Sequence, residues 1–140
     1  MATYTFQADA ELQKVIEDHS ETVTFKKGHI IFNEGDPVRG IFLVIRGKVE
    51  LLLHSAGLVT LIRRAGVGCL LGVPASINHH PYSLTARVTE DAELRFISVK
   101  ALALLMRKEP KVTMCFVEML SREVRTMRQV IAHPEQGISR

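Results

Sequence analysis

The sequence predicts a mainly β fold, an antiparallel sandwich or barrel, with helices on its flanks. Three observations carry this expectation. Short β-rich runs fill the stretch from Glu21 to Val99, glycine-bearing turns punctuate them, and the apolar period is helical on both sides of that stretch. At 140 residues, 46% hydrophobic and 24% charged, the chain has the composition of one globular domain, able to bury roughly two-thirds of its unfolded surface without staples.

Residues 8–19 place Leu12, Val15 and Ile16 on one helical face, so an amphipathic helix opens the fold. The β-rich runs follow over 21–99 as VTF, HIIF, IFLVI, KVELLL, LVTLIRR, YSLTARV and AELRFISV. Asn33-Glu34-Gly35-Asp36, Arg46-Gly47-Lys48, Ser55-Ala56-Gly57 and Ala65-Gly66-Val67-Gly68 read as the turns between them, where glycine supplies the positive φ of tight reversals. After Val99 the helical period returns. A helix over 100–108 stops at Glu109-Pro110, because the residue before a proline is driven out of the helical region. A longer helix over 111–132 ends before Pro134. Phe116, Leu120, Val124, Met127 and Ile131 share one of its faces, with Arg122, Arg125 and Arg128 roughly opposite.

Bulk properties exclude several function classes. No apolar run approaches the ~18 residues that span a bilayer. The opening MATYTFQADAELQ lacks a basic stretch followed by an apolar one, so no secretory signal is read and a cytoplasmic location is expected. Cys69 and Cys115 lie in apolar surroundings on different elements and are expected as free thiols. A net charge of +3 tolerates an acidic partner without demanding one. Neither a nucleophile elbow, a P-loop nor a dinucleotide fingerprint occurs, so the chain is not expected to be an enzyme.

Spaced signals in a fixed order identify the stretch 8–132 more closely. They are Gly28-His29-Ile30-Ile31-Phe32 with Glu34-Gly35-Asp36, Gly40-Ile41-Phe42-Leu43-Val44, Arg46-Gly47-Lys48-Val49, Gly68 and Gly72, then Thr85-Ala86-Arg87-Val88 with Ala92-Glu93-Leu94. This order resembles the cyclic-nucleotide-binding domain of the cAMP receptor protein (Crp/Fnr) family of bacterial regulators. The resemblance implies a double-stranded β-helix, or jelly-roll β-roll, behind an N-terminal helix, with a long C-terminal helix that makes a homodimer. It places the phosphate cradle in residues 68–86, GCLLGVPASINHHPYSLTA, with Gly72, Val73, Pro74, Ala75, Tyr82 and Ser83 as the ligand-binding set and the long helix as lid.

Two positions depart from the family pattern. Nucleotide-binding members carry a glutamate after the glycine that matches Gly72, and here it is Val73. They hold the phosphate with an arginine followed by serine or threonine, and here the pair is Tyr82 and Ser83. Val73 accepts no hydrogen bond and Tyr82 offers no positive fork. Losing one member of a buried charged pair costs ~2–5 kcal/mol, and each ~1.4 kcal/mol is tenfold, so a micromolar site weakens to the sub-millimolar range or beyond. Three readings of the pocket stay open: Val73 and Tyr82 fill it, it takes an altered small ligand, or it keeps weak nucleotide binding. Backbone N–H groups of Val73, Ala75 and Ser76 are the surviving candidates to face an anion.

Arg63 and Arg64 are neighbours on a strand and project to opposite faces, so at most one can look into the barrel, where it would replace the missing charge; solvated surface arginines are the expected reading. His29, His54, His79 and His80 include no His-x-His pair of the kind that metal-binding cupin barrels use, and read as exposed histidines rather than metal ligands. The seam spaced 4, 4, 3, 4 along the long helix has its first half, Phe116 and Leu120, on the roll itself. Its second half, Val124, Met127 and Ile131, is expected in a two-fold dimer. Only about eight residues follow, too few for a helix-turn-helix, so sequence-specific DNA binding by this chain is not expected. Three functions compete: a non-catalytic regulatory module with lost or altered nucleotide specificity, a ligand-free dimeric scaffold for a protein partner, and a cupin-like metalloenzyme.

Overall fold

The computed structural model describes residues 6–132, the last ten of them by backbone alone. The elements in chain order are α1 (Ala10–Asp18), β1 (Glu21–Phe25), β2 (Ile30–Phe32), β3 (Gly40–Ser55), β4 (Leu58–Ala65), β5 (Leu70–Leu71), α2 (Val73–Asn78), β6 (Thr85–Ser98), α3 (Val99–Lys108) and α4 (Pro110–Ala132). The strands pair antiparallel in the order β1-β6-β3-β4, with β2 added on β6 and β5 on β3. This is the expected β-roll with flanking helices.

Local chemistry explains the helix bounds. Asp9 caps α1 by accepting from the Leu12 N–H at 2.8 Å, and Ser98 caps α3 by accepting from Ala101 at 3.1 Å, each satisfying a donor that the first turn leaves unpaired. Pro110 opens α4, where its missing N–H costs nothing.

The strands differ from expectation at Arg46-Gly47-Lys48. That segment does not reverse the chain. β3 runs through it for 16 residues, and β6 runs opposite for 14. The register between them shifts at Val44/Arg46, Arg46/Lys48 and Lys48/Val49, so the pair bends through bulges instead of ending in a hairpin. Gly47 makes the bend possible: its φ is +98°, and a Cβ there would stand 2.5 Å from the Asp91 carbonyl oxygen. Exposed ion pairs flank it, Arg46 with Glu93 at 3.5 Å and Lys48 with Glu90 at 3.2 Å.

Alternation along the strands feeds two cores. Ile41 and Leu43 face the helices, while Phe42 and Val44 face the inside of the roll, and all four are buried. The helix-side core gathers Leu12 and Ile16 of α1, Leu102 and Leu105 of α3, and Val112, Phe116 and Met119 of α4, with Leu120 packed at its edge. The first half of the α4 seam therefore sits on the body of the protein. The side chains of Val124, Met127 and Ile131 lie outside the described residues, as do those of Arg125 and Arg128.

Candidate functional site

The roll's interior holds a cavity of about 90 Å³ beside β5, α2 and the start of β6. Gly72, Pro74, Ala75, Tyr82 and Ser83 all line it. The sixth residue expected there, Val73, does not. It is fully buried in the helix-side core with Ile41 and Leu70, because residues 73–78 form a short helix rather than a plain turn and the first helical residue points away from the roll. Hence Val73 and Tyr82 do not fill one pocket together. Among the described residues none from α4 lines the cavity; the side chains of α4 from residue 123 onward lie outside the described residues.

Tyr82 has a defined place. Its ring stacks on Phe32 with centroids 3.8 Å apart and planes 11° from parallel. Its hydroxyl donates to the Gly40 carbonyl at 2.8 Å and accepts from the N–H groups of Arg39 at 3.1 Å and Gly40 at 3.2 Å. Those bonds use the hydroxyl's donor and both its acceptor sites. The Tyr82 backbone is held as firmly: its N–H donates to Asp36 at 3.1 Å, and its carbonyl accepts from Gly35 at 2.8 Å. Gly72 leaves room for the ring, since a Cβ there would stand 2.9 Å from Tyr82 Cε1, at a φ of +84°.

The turn under Tyr82 is anchored in turn. Glu34 accepts from the His54 backbone N–H at 2.7 Å and from its ring at 2.9 Å. These bonds, the backbone one foremost, hold the Glu34 carboxyl below its ordinary value. The remaining histidines behave as local partners: His79 closes α2 at φ +56°, and the His80 ring donates to the Pro81 carbonyl at 2.8 Å. Among the described residues no three His, Cys, Asp or Glu side chains come together as a metal cluster.

Arg63 and Arg64, expected as solvated surface arginines, are separated by the β3–β4 register. Val49 pairs with Ala65, Glu50 with Arg64 and Leu51 with Arg63. Val49, Ala65 and Leu51 are buried, so Arg63 shares their inward face, while Arg64 is exposed beside Glu50. Arg63 lines the cavity and carries the only formal charge among the described lining residues. Beyond the expected set the lining takes in residues of several strands and, with Cys69, Phe6 from the segment ahead of α1. Gln7 bridges Cys69 as an added β pairing, Leu70 donates to the Phe6 carbonyl at 2.7 Å, and the Cys69 thiol donates to the Gln7 side chain at 3.1 Å. The signal for this strap is a single turn of extended chain before α1, too short to carry a period. Both cysteines are free thiols, and burial, with Asp9, Glu118 and Glu11 nearby, pushes the Cys115 thiol up.

The anion cradle is thin. The Ser76 N–H donates to Gly72 at 3.1 Å and is taken. The Ser76 hydroxyl is buried with no hydrogen-bond partner among the described residues. Ser76→Ala is accordingly expected to leave the melting temperature unchanged or raised, because it removes an unsatisfied polar atom. A measured loss above ~1 kcal/mol would show that the hydroxyl has a partner.

Comparison with known proteins agrees with this geometry. Residues 22–109 match the family model described as cyclic nucleotide-binding domain. No curated protein is similar to the chain in sequence. Among solved structures, the Thermus thermophilus Catabolite Activator Protein superposes with a TM-score of 0.83 at 24% identity, over 91% of this chain and 60% of that one. The Xanthomonas campestris global regulator CLP, described as c-di-GMP responsive, gives 0.73 at 20% identity, over 89% and 64%. A transcriptional regulator from Thermotoga maritima gives 0.78 at 16% identity, over 85% and 94%. The chain thus spans about three-fifths of the first of these proteins, and identities this low carry the fold alone.

Proposed function

The chain belongs to the cyclic nucleotide-binding domain family, and from that premise we propose that it is a non-catalytic regulatory module whose nucleotide specificity has been lost or altered. One observation carries the reading. At the position where the family resemblance places the phosphate-gripping arginine stands Tyr82, stacked on Phe32 and committed through its hydroxyl to Gly40 and Arg39. Turning it toward a phosphate would strand three backbone groups, the two of Gly40 buried. The cavity beside it, about 90 Å³, is also well under the roughly 300–1,000 Å³ usual for small-molecule sites.

A ligand in this cavity acts through the elements that wall it. Leu70 and Leu71 of β5 face opposite cores, one toward the helices and one toward the roll, so displacement at the cavity reaches the helix layer directly. The dimer proposed through Val124, Met127 and Ile131 on α4 would carry that signal outward, in a cytoplasmic regulator related to transcription factors. A second reading, a protein-interaction scaffold without ligand, draws on the β3–β4 hairpin, where Leu58 and Val59 are 70% and 58% exposed.

Thermal-shift titration with cAMP, cGMP and cyclic di-GMP, followed by calorimetry, tests the first reading. A ligand present at a hundred times its Kd stabilises by ~2.7 kcal/mol, so a millimolar titration exposes any Kd near ~10 µM. The expected result is no shift with any of the three. Micromolar binding of one of them would overturn the loss of specificity.

A further inference from the structure

The cavity differs from a nucleotide site in chemistry as well as size. Its inner wall is apolar, built from Phe32, Leu51, Leu71 and Tyr82, all buried. Half-buried Arg63 and exposed Ser83 stand on its solvent side. At about 90 Å³ it is smaller than the ~150 Å³ apolar cavity that accommodates benzene. A compact apolar body of a few carbon atoms fits it; a nucleoside does not.

We propose that this cavity binds a short-chain monocarboxylate, with the carboxylate on the Arg63 guanidinium and the hydrocarbon tail against Phe32, Leu51 and Leu71. This rests on the reading above that the roll no longer takes cyclic nucleotides. The geometry supplies each half of the recognition. A guanidinium presents paired donors that match a carboxylate in a planar fork, and the β3–β4 register places Arg63 on the buried side of the strand. The apolar wall offers nothing to a second charge or a sugar hydroxyl, which selects against dianions and nucleotides. Arg63 is already partnered within the chain, so the carboxylate binds by exchange for that contact, which lowers its affinity.

The register also provides an internal control. Arg64 is the immediate neighbour of Arg63, carries the same charge, and faces solvent beside Glu50. General attraction of an anion to a chain of net charge +3 would involve both arginines, whereas the cavity site involves one.

The test is titration of the full chain with butyrate and, separately, 1-butanol, followed by backbone amide chemical shifts. The wild type, Arg63→Met and Arg64→Met are compared, with circular dichroism confirming that each is folded. Butyrate is expected to shift the amides of Ala65, Cys69 and Leu71 and to bind at least about tenfold more tightly than butanol. Arg63→Met should abolish that preference, and Arg64→Met should preserve it. Equal affinities of acid and alcohol for the wild type would overturn the proposal. So would a preference that survives in Arg63→Met, or butyrate shifts that avoid the cavity, or none at all. Titration with cAMP runs alongside: micromolar binding there would instead remove the reading on which the proposal stands, a failure distinguishable from silence toward butyrate.

Discussion

Replacing Tyr82 with alanine is expected to destabilise the protein by about 3–5 kcal/mol, a fall of roughly 10–20 °C in melting temperature. Two losses combine. The ring leaves a gap against Phe32, onto which it stacks at 3.8 Å, and Gly72, without a side chain, cannot fill the space. The Gly40 carbonyl and the Arg39 and Gly40 N–H groups also lose the hydroxyl that pairs them. Tyr82→Phe separates the two. It keeps ring and stack but orphans the backbone groups, and is expected to cost about 1–3 kcal/mol. Denaturant unfolding of both variants makes the check. A Tyr82→Phe protein as stable as the parent would mean that water reaches these groups, and that the tyrosine plugs the roll by packing alone.

Phe116→Ala is expected to cost a similar ~3–5 kcal/mol, for a reason on the other side of the sheet. Phe116 is completely buried and is the bulkiest fully buried side chain among the described residues. It inserts α4 into the core that α1, α3 and the outer face of β3 and β6 share. The layer has no spare bulk to collapse into the gap, since its neighbours Leu102, Leu105 and Ile16 are themselves at most 2% exposed. The loss should appear as a lower denaturant midpoint with the slope unchanged. A change below ~1 kcal/mol would show that α4 is not anchored at this point.

The contrast between these residues shows what each kind of information carries. Phe116 was legible in the sequence, because an apolar period of 3.6 marks a buried helix face whatever the partner. Tyr82 was legible only as a departure from a family pattern. Its stack on Phe32 joins residues fifty apart, and its hydroxyl bonds join it to Gly40 across the roll. Nothing local in Pro81-Tyr82-Ser83 encodes either contact.

By itself the sequence determined the layering: a β-rich middle, helices before and after it, their approximate bounds, and the family resemblance that the spaced glycines carry. It also required that Arg63 and Arg64 face opposite ways, since strand residues alternate. Only the tertiary structure decided which one enters the cavity. That choice follows from the pairing of Leu51 with Arg63 and the slip beside it at Leu52, and a one-residue change in register would exchange the two. The same holds for Val73, assigned to the helix-side core by the turn into α2, and for Arg46-Gly47-Lys48, where β6 lies alongside and converts a turn signal into a bend. Periodicity is a property of neighbours along the chain and can be read from it. Register, bulges and the choice between two cores depend on pairings between distant segments, which form only when the chain closes on itself.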